Sequence, residues 1–349
     1  MVSAEGQENA NAAAQLPTLL ELEKPILELE SKIEELRELA RKQNIDVSEQ
    51  IKELSKKSEE LKKEIYSNLT PWYRVQIARH PKRLYPLDYI NALFADFIEL
   101  HGDRNFGDDK AIIGGMGFFN NTIPVVVIGT QKGRNLEENK LRNFGMAHPE
   151  GYRKALRLMM MAAKFNYPII TLLDTPGAFP GVGAEERGQA EAIARNLKFM
   201  STLPVPIIVV ITGEGGSGGA LGLGVGDRIL MLENSIYSVI SPEGCAAILF
   251  RDASKAPEAA LALKLTAEDL YSFKIVDDVI PEPLGGVHHD PAAAIENVRK
   301  YILKHLEEIK DIPPARLIEL RYKKYKKMGV INKIKLRKEK VKKNAISNK

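Results

Sequence analysis

Cysteine is nearly absent from this sequence of 349 residues, which contains only Cys245. One thiol cannot form a disulfide within the chain or build a cysteine-rich zinc site, and it suits a reducing compartment. The sequence also lacks any run of about 18 apolar residues that would span a membrane, and its first residues lack the apolar core of a signal peptide. These absences predict a cytoplasmic protein without a membrane anchor.

Several motifs of common enzyme chemistry are missing as well. There is no GxxxxGK[ST] loop, no HExxH helix and no Met-Lys-Met acceptor for biotin, so we expect no P-loop, no zinc protease site and no covalently attached biotin. His288 and His289 are the best metal-ligand candidates, but no third ligand lies at a usable spacing. We therefore predict that the chain binds no metal.

The charge of the chain is unevenly distributed. Residues 321–349 carry 13 lysines and arginines against one acid, a net +12, so the other 320 residues are net −8 within a total of +4. A basic tail can bind nucleic acid, but a solvated extension or a helix that docks on a partner is the more ordinary role. We expect a basic C-terminal tail at 321–349 and no nucleic-acid partner.

The N-terminal region predicts helices. Residues 1–16 are expected to be a disordered leader, and residues 17–69 an antiparallel helical hairpin with its turn at 44–48. Asp46 and Glu49 have the spacing of a capping box for the second helix. Apolar residues recur at spacings of three and four along both helices: Leu22, Ile26, Leu29, Ile33, Leu36 and Ala40, then Ile51, Leu54, Leu61 and Ile65.

Residues 70–320 predict one catalytic α/β domain. Thr70 and Pro71 are an N-cap and a first helical residue, which indicates a helix start. Short apolar runs then alternate with glycine-rich turns and helical stretches, as in α/β folds. The predicted strands are 123–128, 169–173, 207–211, 229–232 and 238–240.

The glycine run at 213–219 fits three templates. Gly213, Gly215 and Gly218 match a dinucleotide fingerprint, but the seven residues before the next strand are too short and too glycine-rich for a crossover helix. Gly215, Ser217 and Gly219 also match a nucleophile elbow, and Asp277 and His288 follow in the order acid, then base, of a serine hydrolase. That interpretation stays open at this point.

The third template uses the backbone alone. Where a strand ends in small residues, several N–H groups can point the same way and hold a developing oxyanion. A turn rich in glycine can equally be a tight packing corner. Sequence alone leaves these alternatives open.

A wider resemblance lies in seven short motifs that occur in a fixed order. The motifs are ELHGDR at 99–104, QKGRN at 131–135, RNFGM at 142–146, DTPGA at 174–178, GEGGSGGA at 213–220, SPEGCA at 241–246 and PEPLGG at 281–286. The set resembles the alpha subunits of the carboxyltransferase of bacterial multi-subunit acetyl-CoA carboxylase. The resemblance spans about residues 20–320 and omits the leader and the tail.

This resemblance implies a crotonase/ClpP-like fold of repeated ββα units and a site built from main-chain amides. By the family pattern, the N–H groups of Gly215 and Gly216 hold the ureido oxygen of biotin, and Gly177 and Ala178 shape the same pocket. Contacts to the carboxyl group, the CoA phosphates or the carrier protein are expected from three further side chains: Arg134, Arg142 and His288.

The resemblance also implies a reaction and an assembly. Carboxybiotin, delivered on a carrier protein, gives its carboxyl group to acetyl-CoA to form malonyl-CoA for fatty acid synthesis, and the freed biotin nitrogen takes the methyl proton. Alpha subunits of this family act with a beta subunit that carries a zinc ribbon, in an α2β2 assembly with biotin carboxylase in the wider complex. A non-catalytic scaffold for a partner subunit is the remaining alternative.

Overall fold

A computed structural model of the chain describes residues 18–43 and 45–329. The predicted leader at 1–16 and most of the predicted tail lie outside the described residues. Two long helices, α1 (Leu19–Gln43) and α2 (Ser48–Ser67), are followed by two short ones, α3 (Pro71–Ala78) and α4 (Pro86–Leu93). No helix in the described ranges combines the length and apolar character needed to cross a membrane.

The catalytic domain is built on an eight-stranded mixed sheet. The first seven strands in sheet order are β1, β2, β3, β4, β5, β6 and β8, and β7 pairs with the end of β5. The first three strands pair antiparallel and the later pairings are parallel. The strands are β1 (Phe94–Glu99), β2 (Ile112–Phe119), β3 (Ile123–Thr130), β4 (Ile169–Thr175), β5 (Ile207–Gly216), β6 (Arg228–Leu232), β7 (Ile236–Ser238) and β8 (Asp278–Ile280).

Helices cover both faces of this sheet. The remaining helices are α5 (Leu136–Leu141), α6 (Pro149–Phe165), α7 (Val182–Glu186), α8 (Gln189–Thr202), α9 (Ser217–Leu221), α10 (Pro242–Phe250), α11 (Ala256–Leu263), α12 (Ala267–Ser272), α13 (Pro291–Ile309) and α14 (Pro314–Lys327). One core packs Val209 and Ile211 against α6 and α8, and the other packs Ile208 and Val210 against α4 and α13. Since successive residues of β5 enter opposite cores, residues 207–211 of this strand are all apolar.

The predicted helical hairpin forms. The apolar positions predicted along α1 are buried or half-buried, and Ile26 and Ile33 are the deepest of them. Glu30 of α1 bonds Lys62 of α2 over 2.6 Å. The predicted capping box is wrong, because Val47 occupies the N-cap and the Asp46 carboxylate accepts the Ser48 N–H instead. Thr70 caps α3 as predicted, because its hydroxyl oxygen accepts the Tyr73 N–H. Pro71 is the first residue of the helix.

Sequence patterns missed three strands of the sheet: β1, β2 and β8. In β2 the reason is glycine, since Gly115 lies so close to β1 that an added Cβ would stand 1.9 Å from the Ile98 carbonyl oxygen. A strand whose glycines permit such close approach lacks the β-branched signature used to recognise strands. The strand predicted at 238–240 instead occupies Ile236–Ser238.

The predicted start of the basic tail at 321 falls inside α14. The Arg321 side chain is 1% exposed and donates to both carboxylate oxygens of Asp227 over 2.9 and 2.7 Å. It also donates to the carbonyls of Met200, Leu203 and Val205. A basic residue in a charged run is therefore an anchor of the fold, which composition alone does not reveal.

Candidate active site

The glycine-rich segments meet at the carboxyl ends of β4 and β5. A Cβ added to Gly216 would lie 2.1 Å from the Pro176 carbonyl oxygen, and one added to Gly219 would lie 2.5 Å from the Ala178 nitrogen. Real side chains never approach backbone this closely, so both positions require glycine. The turn after β4, residues 176–180, and the segment at the end of β5 are thus in direct main-chain contact.

The strand β5 is longer than the sequence predicted. It continues through Gly215 and Gly216, with Gly215 opposite Thr175 of β4 and Tyr237 of β7, and Gly216 opposite Ser238. The strand predicted at 207–211 is therefore too short, because pairing with β7 extends it over residues of low strand propensity. The turn begins at Ser217, and the five-residue α9 does not supply the crossover helix that a dinucleotide site needs.

Ser217 has one property of a nucleophile elbow but lacks its partners. The residue is exposed with φ +50°, a strained conformation for serine. However, the Asp277 carboxylate bonds the Lys324 ammonium and the Ile229 N–H. The hydrolase triad is not assembled, and this alternative gains no support.

His288 lies in a different environment from the two turns. Its side chain is 4% exposed and neighbours Glu23 of α1, the stacked ring of His80 and the tilted ring of His289. None of these residues belongs to the segments at 176–180 or 213–219. The prediction that His288 contacts substrate therefore finds no support in its position.

The two predicted arginines, Arg134 and Arg142, differ in how many partners their guanidinium groups have. The Arg134 guanidinium donates to the carbonyls of Pro81 and Arg83, bonds Asp88 and stacks 4.0 Å over the Tyr85 ring. Arg142 precedes the segment at 143–145, whose Gly145 carbonyl lies 2.7 Å from the Thr175 hydroxyl. Within the described residues Arg142 has no acidic partner and donates only to the Lys110 carbonyl.

A buried charge network under the turns was missed by sequence reasoning. The Lys132 ammonium contacts Asp174 over 2.7 Å and Glu214 over 2.8 Å, and Arg79 bonds Glu214 over 2.6 Å and Glu243 over 2.5 Å. Asp174 also accepts the Glu214 N–H. The network ties together the ends of β3, β4 and β5. Its sequence signal is a charged residue one to four positions after each of three apolar runs.

The network fixes the ionisation of its members. Burial alone would raise the pKa of Glu214, but the charges of Lys132 and Arg79 outweigh burial and lower that pKa to about 2. Burial alone would lower the pKa of Lys132, and the two carboxylates raise it instead. Both groups are therefore charged at neutral pH.

The lowered pKa makes stability depend on pH through Glu214. Because the folded pKa lies below the ordinary value of 4.5, ionised Glu214 stabilises the fold above that pH, and this contribution is lost as pH falls toward about 2. We expect Glu214→Gln to be markedly less stable than wild type at neutral pH and closer to it at about pH 3 in urea unfolding. Glu186→Gln, at an exposed acid, should match wild type throughout; a constant gap for Glu214→Gln would contradict the assignment.

An apolar cavity of about 480 Å³ borders the turn. Ser217 and Gly218 form one side, and Leu221, Tyr237 and Tyr325 contribute apolar surface. A cavity of this size and character is typical of a small-molecule site. The cavity therefore lies next to the turn that begins at Ser217, although its lining does not include the predicted site residues Gly177, Ala178, Gly215 and Gly216.

The mixed sheet, its flanking helices and the two contacting glycine turns place the protein among the crotonase-like carboxyltransferases. A family model described as acetyl co-enzyme A carboxylase carboxyltransferase-like matches residues 19–329, and the chain belongs to this family. The match covers the helical hairpin as well as the catalytic domain. The predicted fold class and family are confirmed.

Relatives with curated names support the same assignment. A protein from Geobacter metallireducens is 57% identical over 310 residues, which cover 89% of this chain and 97% of that protein. One from Thermus thermophilus is 56% identical, covering 89% of this chain and 98% of its own length. Both are named acetyl-coenzyme A carboxylase carboxyl transferase subunit alpha. This name implies a partner beta subunit.

Solved structures show the fold at greater distance. Transcarboxylase 12S, with methylmalonyl-coenzyme A bound, aligns with a TM-score of 0.53 at 21% identity over 65% of this chain and 41% of that one. A Pseudomonas malonate decarboxylase hetero-tetramer in complex with coenzyme A aligns with a TM-score of 0.51 at 17% identity, over 62% of this chain and 86% of that one. At these identities the likeness concerns the fold alone.

Proposed function

We propose that this chain is the alpha subunit of a carboxyltransferase that moves the carboxyl group of carboxybiotin to acetyl-CoA and forms malonyl-CoA, the first committed step of fatty acid synthesis. The observation that carries the proposal is the main-chain contact between the turn at 176–180 and the end of β5, beside an apolar cavity. Family membership supports the reaction, and this geometry supports the location that we propose for it.

The chemistry assigned to the turns is stabilisation of negative charge. When the carboxyl group leaves, charge develops on the ureido oxygen of biotin, and the N–H groups of Gly215 and Gly216 are assigned to hold it. Gly177 and Ala178 shape the adjacent wall. Because both glycines lie in the strand pairing of β5, the assignment requires that these N–H groups do not donate within the sheet. Preorganised donors that are free in this way are strong catalysts because they need no rearrangement during the reaction.

No side chain of this protein is assigned as a base. The biotin nitrogen freed by loss of the carboxyl group takes the methyl proton of acetyl-CoA, so proton balance is kept without a protein group. The charge network of Lys132, Asp174 and Glu214 instead fixes the strand ends that carry the amides, since each of these charges is paired. Its role is positioning.

Of the two arginines, Arg142 is the better anion contact. Its guanidinium has one carbonyl partner, whereas that of Arg134 is occupied by two carbonyls, Asp88 and Tyr85. A guanidinium with free donors can bind a carboxylate or a phosphate through two hydrogen bonds. We assign Arg142 to the CoA phosphates, the transferred carboxyl group or the carrier, and Arg134 to shaping the same strand end.

The proposed assembly contains a beta subunit with a zinc ribbon, a biotin carboxyl carrier protein and biotin carboxylase, with an α2β2 core. An exposed apolar surface supports a large protein partner. Val239, Ile248, Leu249 and Leu261 are 80%, 71%, 63% and 56% exposed, around β7, α10 and α11. Contiguous exposed apolar groups commonly mark protein interfaces.

Reconstitution tests this function. The purified chain is mixed with a beta-type subunit, biotin and malonyl-CoA, and CoA-dependent decarboxylation is followed in the reverse direction. We expect activity in the mixture and almost none from either subunit alone. A mixture that forms a complex but stays inactive would indicate a non-catalytic scaffold. Efficient ester hydrolysis by the lone chain would indicate a serine hydrolase.

Replacing Ser217 by alanine separates the main-chain mechanism from one that uses a nucleophilic serine. Because the transfer uses amides and not the hydroxyl group, Ser217→Ala should retain carboxyl transfer within about threefold of wild type. Loss of a nucleophilic serine typically costs a hydrolase about 10⁴- to 10⁶-fold in turnover. A loss on that scale, with the complex intact by gel filtration, would contradict the main-chain mechanism.

A further inference from the structure

Three residues distant in sequence meet beneath the helical hairpin: Glu23, His288 and His289. One ligand atom from each lies within 4.8 Å of the others, and the His288 Nε2 is 3.6 Å from a Glu23 carboxylate oxygen. The three side chains are 2%, 4% and 8% exposed. The third ligand that was missing by sequence spacing is therefore supplied by α1.

The imidazole nitrogens of this cluster are unusually short of partners. Both ring nitrogens of His288 and the Nε2 of His289 are buried without a hydrogen bond. Buried polar atoms in native proteins are almost always paired, because an unpaired one destabilises the fold. Three such atoms in one cluster indicate a ligand between them.

We propose that Glu23, His288 and His289 bind one Zn²⁺ ion, which fastens α1 to the loop before α13. Two imidazoles and one carboxylate are a common zinc donor set. Donor atoms on one tetrahedral zinc ion lie about 3.4 Å apart, given zinc–nitrogen distances of about 2.1 Å. The ligand atoms of the cluster lie within 4.8 Å of one another, so zinc binding would draw the most distant of them together by about 1 Å.

The surroundings fit an ion. The His289 Nδ1 faces the Glu30 carboxylate over 3.5 Å, which leaves Nε2 as the donor to the metal, an arrangement typical of zinc-binding histidines. A cavity of about 690 Å³ borders both histidines and gives water and the ion a route. His80 is not part of the donor set, and its Nδ1 accepts the Lys82 N–H.

The test uses the full chain without a beta subunit, so that any zinc counted belongs to this chain. The chelator-treated protein is titrated with Zn²⁺ by calorimetry, and thermal unfolding is followed with and without the ion. We expect one Zn²⁺ per chain and a Tm raised by a few degrees. His288→Ala, His289→Ala and Glu23→Gln should each weaken binding at least tenfold and abolish the Tm rise.

His101→Ala is the matched control. His101 is half exposed and also neighbours two acids, Glu99 and Asp108, yet it should bind zinc no differently from wild type. Glu23→Gln keeps the shape of the side chain and decides the outcome if a histidine variant fails to fold. No stoichiometric binding by wild type, or binding lost in His101→Ala and kept in Glu23→Gln, would overturn the proposal. Neither result depends on carboxyl transfer.

Discussion

Gly216→Ala is expected to lower carboxyl transfer by about 100- to 1000-fold, the usual loss when an oxyanion donor is displaced. The added methyl group would lie 2.1 Å from the Pro176 carbonyl oxygen and 2.8 Å from that of Thr175. These are backbone atoms, so they cannot rotate away, and the two turns must separate. The N–H group is retained in the variant, and only its position changes.

The measurement is turnover in the reconstituted complex, with complex formation checked by gel filtration. Gly107→Ala is the control, because a Cβ there has no neighbour within 4 Å. It should keep nearly full activity. Wild-type turnover by Gly216→Ala in an intact complex would show that contact between the turns does not matter for the reaction.

Arg83→Leu is expected to destabilise the fold by about 3–5 kcal/mol, the range for breaking a buried ion pair from one side. Arg83 and Glu282 are both fully buried, and the guanidinium donates to Glu282 over 2.6 and 3.1 Å and to the Thr212 carbonyl. Its loss leaves the Glu282 carboxylate charged without a cation, although the N–H and side-chain amide of Asn234 still donate to it.

A double-mutant cycle separates the interaction between the Arg83 and Glu282 charges from the loss of side-chain packing. Glu282→Leu alone should also be destabilising, and Arg83→Leu with Glu282→Leu should recover part of the loss, since no unpaired charge remains. Urea unfolding of the four proteins measures the coupling. Strict additivity of the two single changes would mean that the two charges do not interact in the folded protein.

The parts of the fold that follow from local periodicity were predictable. The spacing of apolar residues predicted α1 and α2, and Thr70 with Pro71 predicted the start of α3, because these signals act within a few residues. The strand β2 was not predictable, since Gly115 is there to let β1 approach. The length of β5 likewise depends on β7, which pairs only after the chain has folded.

The candidate site likewise has parts that local sequence signals locate and parts that depend on tertiary contacts. The glycine motifs located the two turns, because only glycine can occupy positions where two backbone segments approach this closely. The network of Lys132, Asp174 and Glu214 joins the ends of three strands, and its partners can be matched only when sheet order is known. The cluster of Glu23 with His288 and His289 joins opposite ends of the chain, so no spacing rule could find it.

A structure of the reconstituted complex with biotin bound tests the central claim most directly, because Gly215 and Gly216 lie within the strand pairing of β5. The main-chain mechanism predicts the ureido oxygen within about 3.2 Å of the nitrogens of Gly215 and Gly216. The contrary result has both N–H groups donating to carbonyls of the neighbouring strands while the ureido oxygen is held by a side chain.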